Sequence, residues 1–428
     1  MKEFEGKKLL ILGGIRLACD IVRRAQEMGA YVVVADYNKI SDSPAKQIAD
    51  EAVQIDALDV DAIVDYCRTA HIDGVTTGFV DILLQPCYEV CKRLDLPCYL
   101  TPKMIEVSTN KAAFKEACQQ YGVPVPQTYL IGDSISQEVY AKLQYPVFVK
   151  PLDASGSRGA GVCYDREELD ARFSEALSYS KSQNVVVEDY LNGREFLMNF
   201  IAQDGEFRMI SMFDRYVTDD RGSAINYANL SFGPSKGIDY YLEEVNNDVV
   251  TMFKSLGFED GIFFLQGFFN GNAITFYEMG CRLGGSYYDL EDKCIGIDPV
   301  KMLIRYALTG RMTDDINSVP INVGKYSKFA VCVNYLLKNG VRTLEKIEGL
   351  DKIKQMPSIV YCDQHFSEGD HYDDSDRIVD KPVLCVYLEV GSMQQLVAEV
   401  SYMNSIFDVY DENGSSILKE KFNPMRLL

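Results

Sequence analysis

Histidine is nearly missing from this chain. His71, His365 and His371 are the 3 among 428 residues, too few and too dispersed for a histidine-based metal centre. The 12 cysteines are scattered without a C-x-x-C motif, and the nearest spacing, Cys87 and Cys91, falls within an expected helix. Reduced, mostly buried thiols are therefore expected, with neither disulfides nor a zinc site. No apolar run in the sequence approaches the roughly 20 residues of a membrane-spanning helix. The start, "MKEFEGKKLLILGG", lacks the charged, apolar and cleavage regions of a secretory signal, so a cytoplasmic chain is expected. Positive charge is also short: 43 basic against 63 acidic side chains leave a net charge of -20, which repels nucleic-acid phosphates and anionic membrane surfaces. A small-molecule partner is expected instead. The acidic stretch "EGDHYDDSDRIVD" is read as a solvated loop and not as a cation site.

What is present is enough for real cores, with 47% hydrophobic residues in a length that suits two to four domains. "KKLLILGG" runs as a strand into a glycine turn, a helical pattern follows from about Leu17 to Met28, and "YVVVAD" makes a second strand. Asp36 stands where a dinucleotide fold would hold a ribose, but the turn G-G-I-R does not satisfy G-x-G-x-x-G, so that reading is weak. Strands and helices keep alternating to about residue 100, a small parallel α/β unit. From about Ile105 to Gly310 the pattern is α+β, and from about Lys325 it is β-rich, with "KFAVCVNYLL" and "PVLCVYLEV" as strands.

Two stretches carry chemistry. In "KPLDASGSRGAGV", Lys150 ends the apolar strand "YPVFV" and is followed by Ser155, Gly156, Ser157, Arg158 and Gly159. Glycines let backbone N–H groups approach an anion, hydroxyls donate to it, and the cations add charge, so phosphate is the expected guest; the alternative is a surface loop with a solvated arginine. The second stretch, "FFLQGFFNGNAITFYEM", reads as a hairpin. With a three-residue turn, Asn270 to Asn272, Gln266 and Glu278 project from one face as neighbouring oxygen ligands; a two-residue turn would separate them. Glu278 lies in the apolar strand "ITFYEMG", where an unpaired carboxylate is costly, so it should face a cation or a cleft. The alternative is an ion pair with Arg282.

Lys111, Lys150, the serine-glycine loop, "VVVEDYLNGREF", Gln266, Glu278 and Arg282 follow in an order and at spacings that resemble the ATP-grasp superfamily, over about residues 105 to 310. The nearest similarity is to carboxylate-amine ligases related to phosphoribosylglycinamide synthetase, the carbamoyl-phosphate synthetase large subunit and bacterial amino-acid ligases. The resemblance implies an α/β and α+β chain: an ATP-grasp domain at 105–320 with a glycine-rich lid at 153–162, a preceding Rossmann-like domain at 1–104 and a small β-rich domain at 321–428. It implies that Lys111 and Lys150 bind ATP phosphates beneath the lid. Glu188, Tyr190 and Leu191 match the hinge that recognises adenine, Glu195 the ribose-binding acid, and Leu265 the residue under the adenine ring. Gln266 and Glu278 match magnesium ligands, with manganese as an alternative ion, and Arg282 matches the arginine beside the transferred phosphoryl group. The frequent E-x-N-P-R reads "EMGCR" here, so Gly280 replaces an asparagine that usually helps hold a second magnesium. Cys281 is expected to be a packed thiol and not a nucleophile.

The expected reaction, with Lys150, Glu278 and Arg282 as its catalytic residues, is phosphorylation of a small-molecule carboxylate by ATP to an acyl phosphate, then attack by an amine to form an amide. Arg215, a candidate for a second carboxylate, and Arg282, Gly284, Gly285 and Ser286 are expected near the acceptor. The alternatives are another acceptor (bicarbonate, hydroxyl or thiol) on the same fold, or an ATP-binding protein without catalysis. A homodimer is one open assembly.

Overall fold

The run KLLIL becomes β1 (Lys8–Leu12), which pairs in parallel with β2 (Tyr31–Ala35) and β4 (Gly74–Thr76), while β3 (Glu51–Val53) pairs with β2. The sheet order is β3-β2-β1-β4. Both faces of its central strands are covered, so four consecutive residues in each of β1 and β2 are buried, and uninterrupted apolar runs are what such a strand requires. The helix Ala18–Met28 links β1 to β2 and ends at Gly29, whose φ of 98° closes it in the left-handed region. The computed structural model describes residues 2–153, 159–217, 228–285, 287–319, 328–373 and 382–428. Ser155, Gly156, Ser157, Arg158 and Ser286 lie outside the described residues, as do most of the acidic stretch and the boundary expected near residue 321.

The dinucleotide reading of the first turn does not survive. Asp36 accepts from the backbone N–H of Gly14 at 2.9 Å and of Asn38 at 2.7 Å, so both carboxylate oxygens are used within the protein. The Ser43 hydroxyl fills the crevice, donating to the Gly14 carbonyl and lying 1.8 Å from where a Cβ at residue 14 would be.

A second sheet, antiparallel and ordered β5-β8-β6-β7, is built from β5 (Thr128–Gly132), β6 (Val147–Pro151), β7 (Gly161–Cys163) and β8 (Val185–Asp189). It has its own small core, in which Val147, Val149, Val185 and Val187 pack on Leu169 and Phe173 of the helix Arg166–Tyr179.

The largest sheet begins with β9 (Arg194–Gln203), β10 (Glu206–Val217), β11 (Ala228–Gly233), β12 (Gly261–Phe269) and β13 (Ile274–Gly280). The chain continues through β14 (Phe329–Leu336), β15 (Arg342–Glu348), β16 (Ile359–Gln364), β17 (His371–Tyr372), β18 (Pro382–Val390) and β19 (Asp408–Asp411). Eight of these strands form one antiparallel sheet, β13-β12-β9-β10-β11-β14-β18-β16, and β17-β15-β19 form a small separate one. The strands expected in a C-terminal domain thus continue the central sheet through the β11–β14 pairing, although the end of the chain has a core of its own around Val333, Val386, Leu396 and Met403. Side chains alternate across the sheet. Phe196, Met198, Phe200, Phe263 and Leu265 enter the main core, and Glu195, Arg215 and Gln266 occupy the other face.

Glu291, in the π-helical turn Glu291–Ile295, plugs that other face, accepting from Asn199 Nδ2 at 2.8 Å and from the Ser211 hydroxyl. Burial pushes its carboxyl up to about 8, and pushes Asp289 up to about 7 and Asp214 to about 6. Such a group binds a proton more tightly folded than unfolded, so its contribution to stability is complete below the unfolded pKa and is lost as pH rises through the folded value. Stability should therefore fall between pH 5 and pH 8. Glu291→Gln keeps the shape without the titration and should flatten that slope by up to about 1.4 kcal/mol per pH unit. Urea midpoints across this range test it, and parallel slopes in the two proteins would show that Glu291 is not the protonated group.

Candidate active site

The helix Lys111–Gln120 starts at Asn110, whose Oδ1 caps the N–H groups of Ala112 and Ala113 at 2.9 and 3.2 Å. Four residues apart, Lys111 and Lys115 share one face of that helix, which packs against β13. On β6, Lys150 is two residues beyond Phe148, the cross-strand partner of Glu188 on β8, so Lys150 and Glu188 are diagonal neighbours on one face. The Glu188 carboxylate, 4% exposed, receives Lys150 Nζ at 2.5 Å on one oxygen and Lys115 Nζ on the other. Lys115 also donates to Thr128 Oγ1 at 2.8 Å. Burial alone would raise the Glu188 carboxyl, but Lys150 and Lys115 outweigh it and hold the pKa below the ordinary glutamate value. Burial and then the like charge of Lys150 lower Lys111, against the opposing pull of Glu278 and Glu188. Three lysines and two carboxylates thus meet where the second sheet faces the β12–β13 hairpin.

The hairpin reaches the expected arrangement by a different route. Phe269 pairs with Ile274, so the connection has four residues, Asn270 to Ala273, with Asn270 Oδ1 accepting from the N–H groups of Asn272 and Ala273 at 3.0 and 2.9 Å. That even loop would separate Gln266 from Glu278. A register shift between Gln266 and Gly267 leaves Tyr277 as the extra residue, and this bulge restores Gln266 opposite Glu278. Two oxygen donors, one neutral and one anionic, suit magnesium, which takes one or two carboxylates and completes its shell with water and substrate phosphate. Among the described residues no group of three or more His, Cys, Asp or Glu could hold a metal ion by itself.

Leu265 is corrected. It is 0% exposed and points into the core, on the opposite face of β12 from Gln266, so it cannot lie under a base bound in the cleft. Phe268 is on the Gln266 face of β12 instead, and with Tyr190, Leu191 and Thr275 it lines a cavity of about 370 Å³ between the segment after β8 and the hairpin. Counting by twos from Gln266 reaches it. Glu195 lies beside Phe268 and accepts from Arg215 Nη1 and from the Tyr277 hydroxyl, both at 2.6 Å. Arg215 also donates to the Tyr287 hydroxyl at 2.9 Å; burial opposes its charge, yet Glu195 raises its pKa. Arg215, expected near a second carboxylate of the acceptor, is paired here with the protein's own Glu195.

Arg282 does not pair with Glu278. Its Nε and Nη2 donate to the two oxygens of Asp81 at 2.6 and 2.8 Å, its Nη1 donates to the Leu283 carbonyl at 2.9 Å, and its guanidinium lies 5.0 Å from the Phe264 ring centre. Asp81 comes from the parallel α/β segment, whose Gly78 carbonyl also accepts the Leu283 N–H at 3.2 Å. Cys281 is 0% exposed, its thiol donates to the Met104 carbonyl at 3.5 Å, and burial pushes it up to about 12, which fits a packed thiol. Gly284 and Gly285 form the turn that follows, Gly284 against Asn199, and Gly159 leads into β7 with a φ of 71°. Lys115, Asp81, Phe264, Phe268 and Tyr277 are the residues that sequence reasoning missed. The four-residue spacing from Lys111 pointed to Lys115; nothing local pointed to Asp81, which is 201 residues from Arg282.

Residues 110–314, just under half of the chain, match the family model for the ATP-binding domain of the carbamoyl-phosphate synthase L chain. Among curated proteins, the chain is similar to the formate-dependent phosphoribosylglycinamide formyltransferase of Sulfurisphaera tokodaii, with 27% identity over 290 residues covering 65% of this chain and 71% of the relative. Among solved structures, it shares its fold with the L-amino acid ligase of Bacillus licheniformis, at a TM-score of 0.74 and 19% identity, covering 95% of this chain and 98% of that one. The biotin carboxylase domain of Hydrogenobacter thermophilus 2-oxoglutarate carboxylase, solved with MgADP and bicarbonate, gives a TM-score of 0.73 at 18% identity, covering 96% and 91%. Apart from Asp81, the matched segment holds the elements of the site just described, from the helix bearing Lys111 to the strand bearing Glu278 and on to Arg282, and over these residues the chain is similar to that ATP-binding domain.

Proposed function

We propose that this protein uses ATP and magnesium to convert a small-molecule carboxylate into an acyl phosphate, and then joins it to an amine with release of phosphate. The observation that carries this is the meeting of Lys111 and Lys150 with the paired donors Gln266 and Glu278. Lys150, anchored by Glu188, and Lys111 bind phosphate oxygens; Phe268, Tyr190 and Leu191 bound the base, and Glu195 faces the ribose. Magnesium, when held by Gln266 and Glu278, supplies neutralisation of charge on the phosphates. Arg282, fixed by Asp81, aligns the γ-phosphoryl with the attacking carboxylate oxygen and stabilises the charge that develops as the bond to the leaving ADP breaks. The amine nitrogen then attacks the acyl carbon, phosphate leaves, and the nitrogen loses its proton. No protein nucleophile is required, and positioning by fixed charges does the catalysis. The same reading takes the protein to be cytoplasmic, with a homodimer as one open assembly; among the described residues no helix is long and apolar enough to cross a membrane.

Two outcomes test this. MgATP at 100 times its dissociation constant should stabilise the fold by about 2.7 kcal/mol, whereas NAD should leave it unchanged. In an ADP-release screen of paired acids and amines, Lys150→Ala should slow turnover by about 10² to 10³ and Glu278→Ala should abolish the metal-dependent rate. Tight ATP binding with no ADP released from any pair would instead favour a binding protein. Lys115→Met should cost about 3 kcal/mol of stability, because Glu188 keeps only one of its two buried counter-ions. An unchanged urea midpoint in that variant would show that the second contact contributes nothing.

A further inference from the structure

Phosphoryl transfer can run on one divalent cation or on two, and the number depends on how many donors line the phosphates. Here the hairpin offers Gln266 and Glu278, direct partners across β12 and β13. The next pair on the same face is Phe264 opposite Gly280. A Cβ at residue 280 would lie 2.2 Å from Phe264 Cε1 and 2.5 Å from Cζ, so the phenyl ring already fills the space that any side chain there would need. That ring is 3% exposed and lies beneath the Arg282 guanidinium, which Asp81 holds from outside. Burial and the guanidinium over its face restrict the ring.

We propose that this centre binds a single protein-held divalent cation, on Gln266 and Glu278, and that Phe264 closes the position where a second cation would need its donor. The proposal rests on reading the hairpin as the MgATP site. Beyond the Gln266–Glu278 pair the strand ends offer an aromatic wall and then a fixed monovalent cation. Arg282 therefore supplies the charge neutralisation that a second ion would otherwise give. Gly280 is explained by the same packing: glycine opposite Phe264 is what lets the ring lie flat against β13.

The probe is Mn²⁺, titrated into the intact protein in saturating adenosine 5′-(β,γ-imido)triphosphate, with bound ion counted by electron paramagnetic resonance. One Mn²⁺ per chain without Mn–Mn coupling is expected. Two per chain, or a coupled spectrum, overturns the proposal. Protein that binds neither nucleotide nor ion refutes the MgATP reading itself and takes this inference with it, so the two failures are distinguishable. Gly280→Asn alone should melt lower and still bind one ion, since the ring blocks the new side chain. Phe264→Ala combined with Gly280→Asn opens the space and adds a donor, and should bind a second Mn²⁺. A folded double variant that still binds one shows that the ring is not the barrier and overturns the steric argument; if that variant fails to fold, the wild-type count alone decides.

Discussion

The Glu188 carboxylate, sealed from water between Lys115 and Lys150, is the interaction on which the rest of the site depends. Burying one lysine beside a phosphate site would normally favour its neutral form or let the side chain swing toward solvent. A carboxylate with one oxygen for each ammonium holds both side chains in place, and its charge opposes the effect of burial on Lys115. Its position is set by two sheet contacts, since Glu188 pairs with Phe148 on one side and Thr128 on the other. The three lysines and the two glutamates at this junction sum to one positive charge, in a chain whose net charge is -20. Local geometry, and not overall charge, therefore decides where a polyphosphate can bind.

The second constraint is the two-residue period of the central sheet. It sends Leu265 into the core and leaves Gln266 and Phe268 in the cleft, and it places Glu195 and Arg215 side by side. A hairpin with a four-residue loop would break this pattern on β13. The extra residue at Tyr277 repairs it and also turns the Tyr277 hydroxyl toward Glu195. One irregularity thus serves both the Gln266–Glu278 pair and the acid beside Phe268, as bulges near sites commonly do. Asp81 makes a third link, tying the parallel α/β segment to the arginine at the end of the same hairpin.

Much of this was legible in the chain itself. Lys111, Glu188, Tyr190, Leu191 and Glu195 came through the resemblance, but the β-α-β opening, the hairpin and the packed thiol at Cys281 could be read from apolar periodicity and turn residues. These features are local: each depends on neighbours within a few residues, or on a strand's own alternation. Where the reading failed, the missing information was also specific. The resemblance puts Leu265 under the base, whereas alternation from Gln266 sends it into the core, and nothing in "NGNA" distinguishes a three-residue turn from a four-residue one.

By itself the sequence determined the β-α-β opening, the hairpin and several further strands, and which side chains are chemically suited to phosphate and metal. Only the tertiary structure decided their partners. Arg282 pairs with Asp81 and not with Glu278, Arg215 is matched by Glu195, Glu188 is shared between two lysines, and Phe264 fills the space at Gly280. A backbone preference follows from the residue and its neighbours along the chain, whereas the energy of a charge or a ring depends on what is packed within a few ångströms of it. For these residues that neighbour is on another strand, or lies 201 residues away.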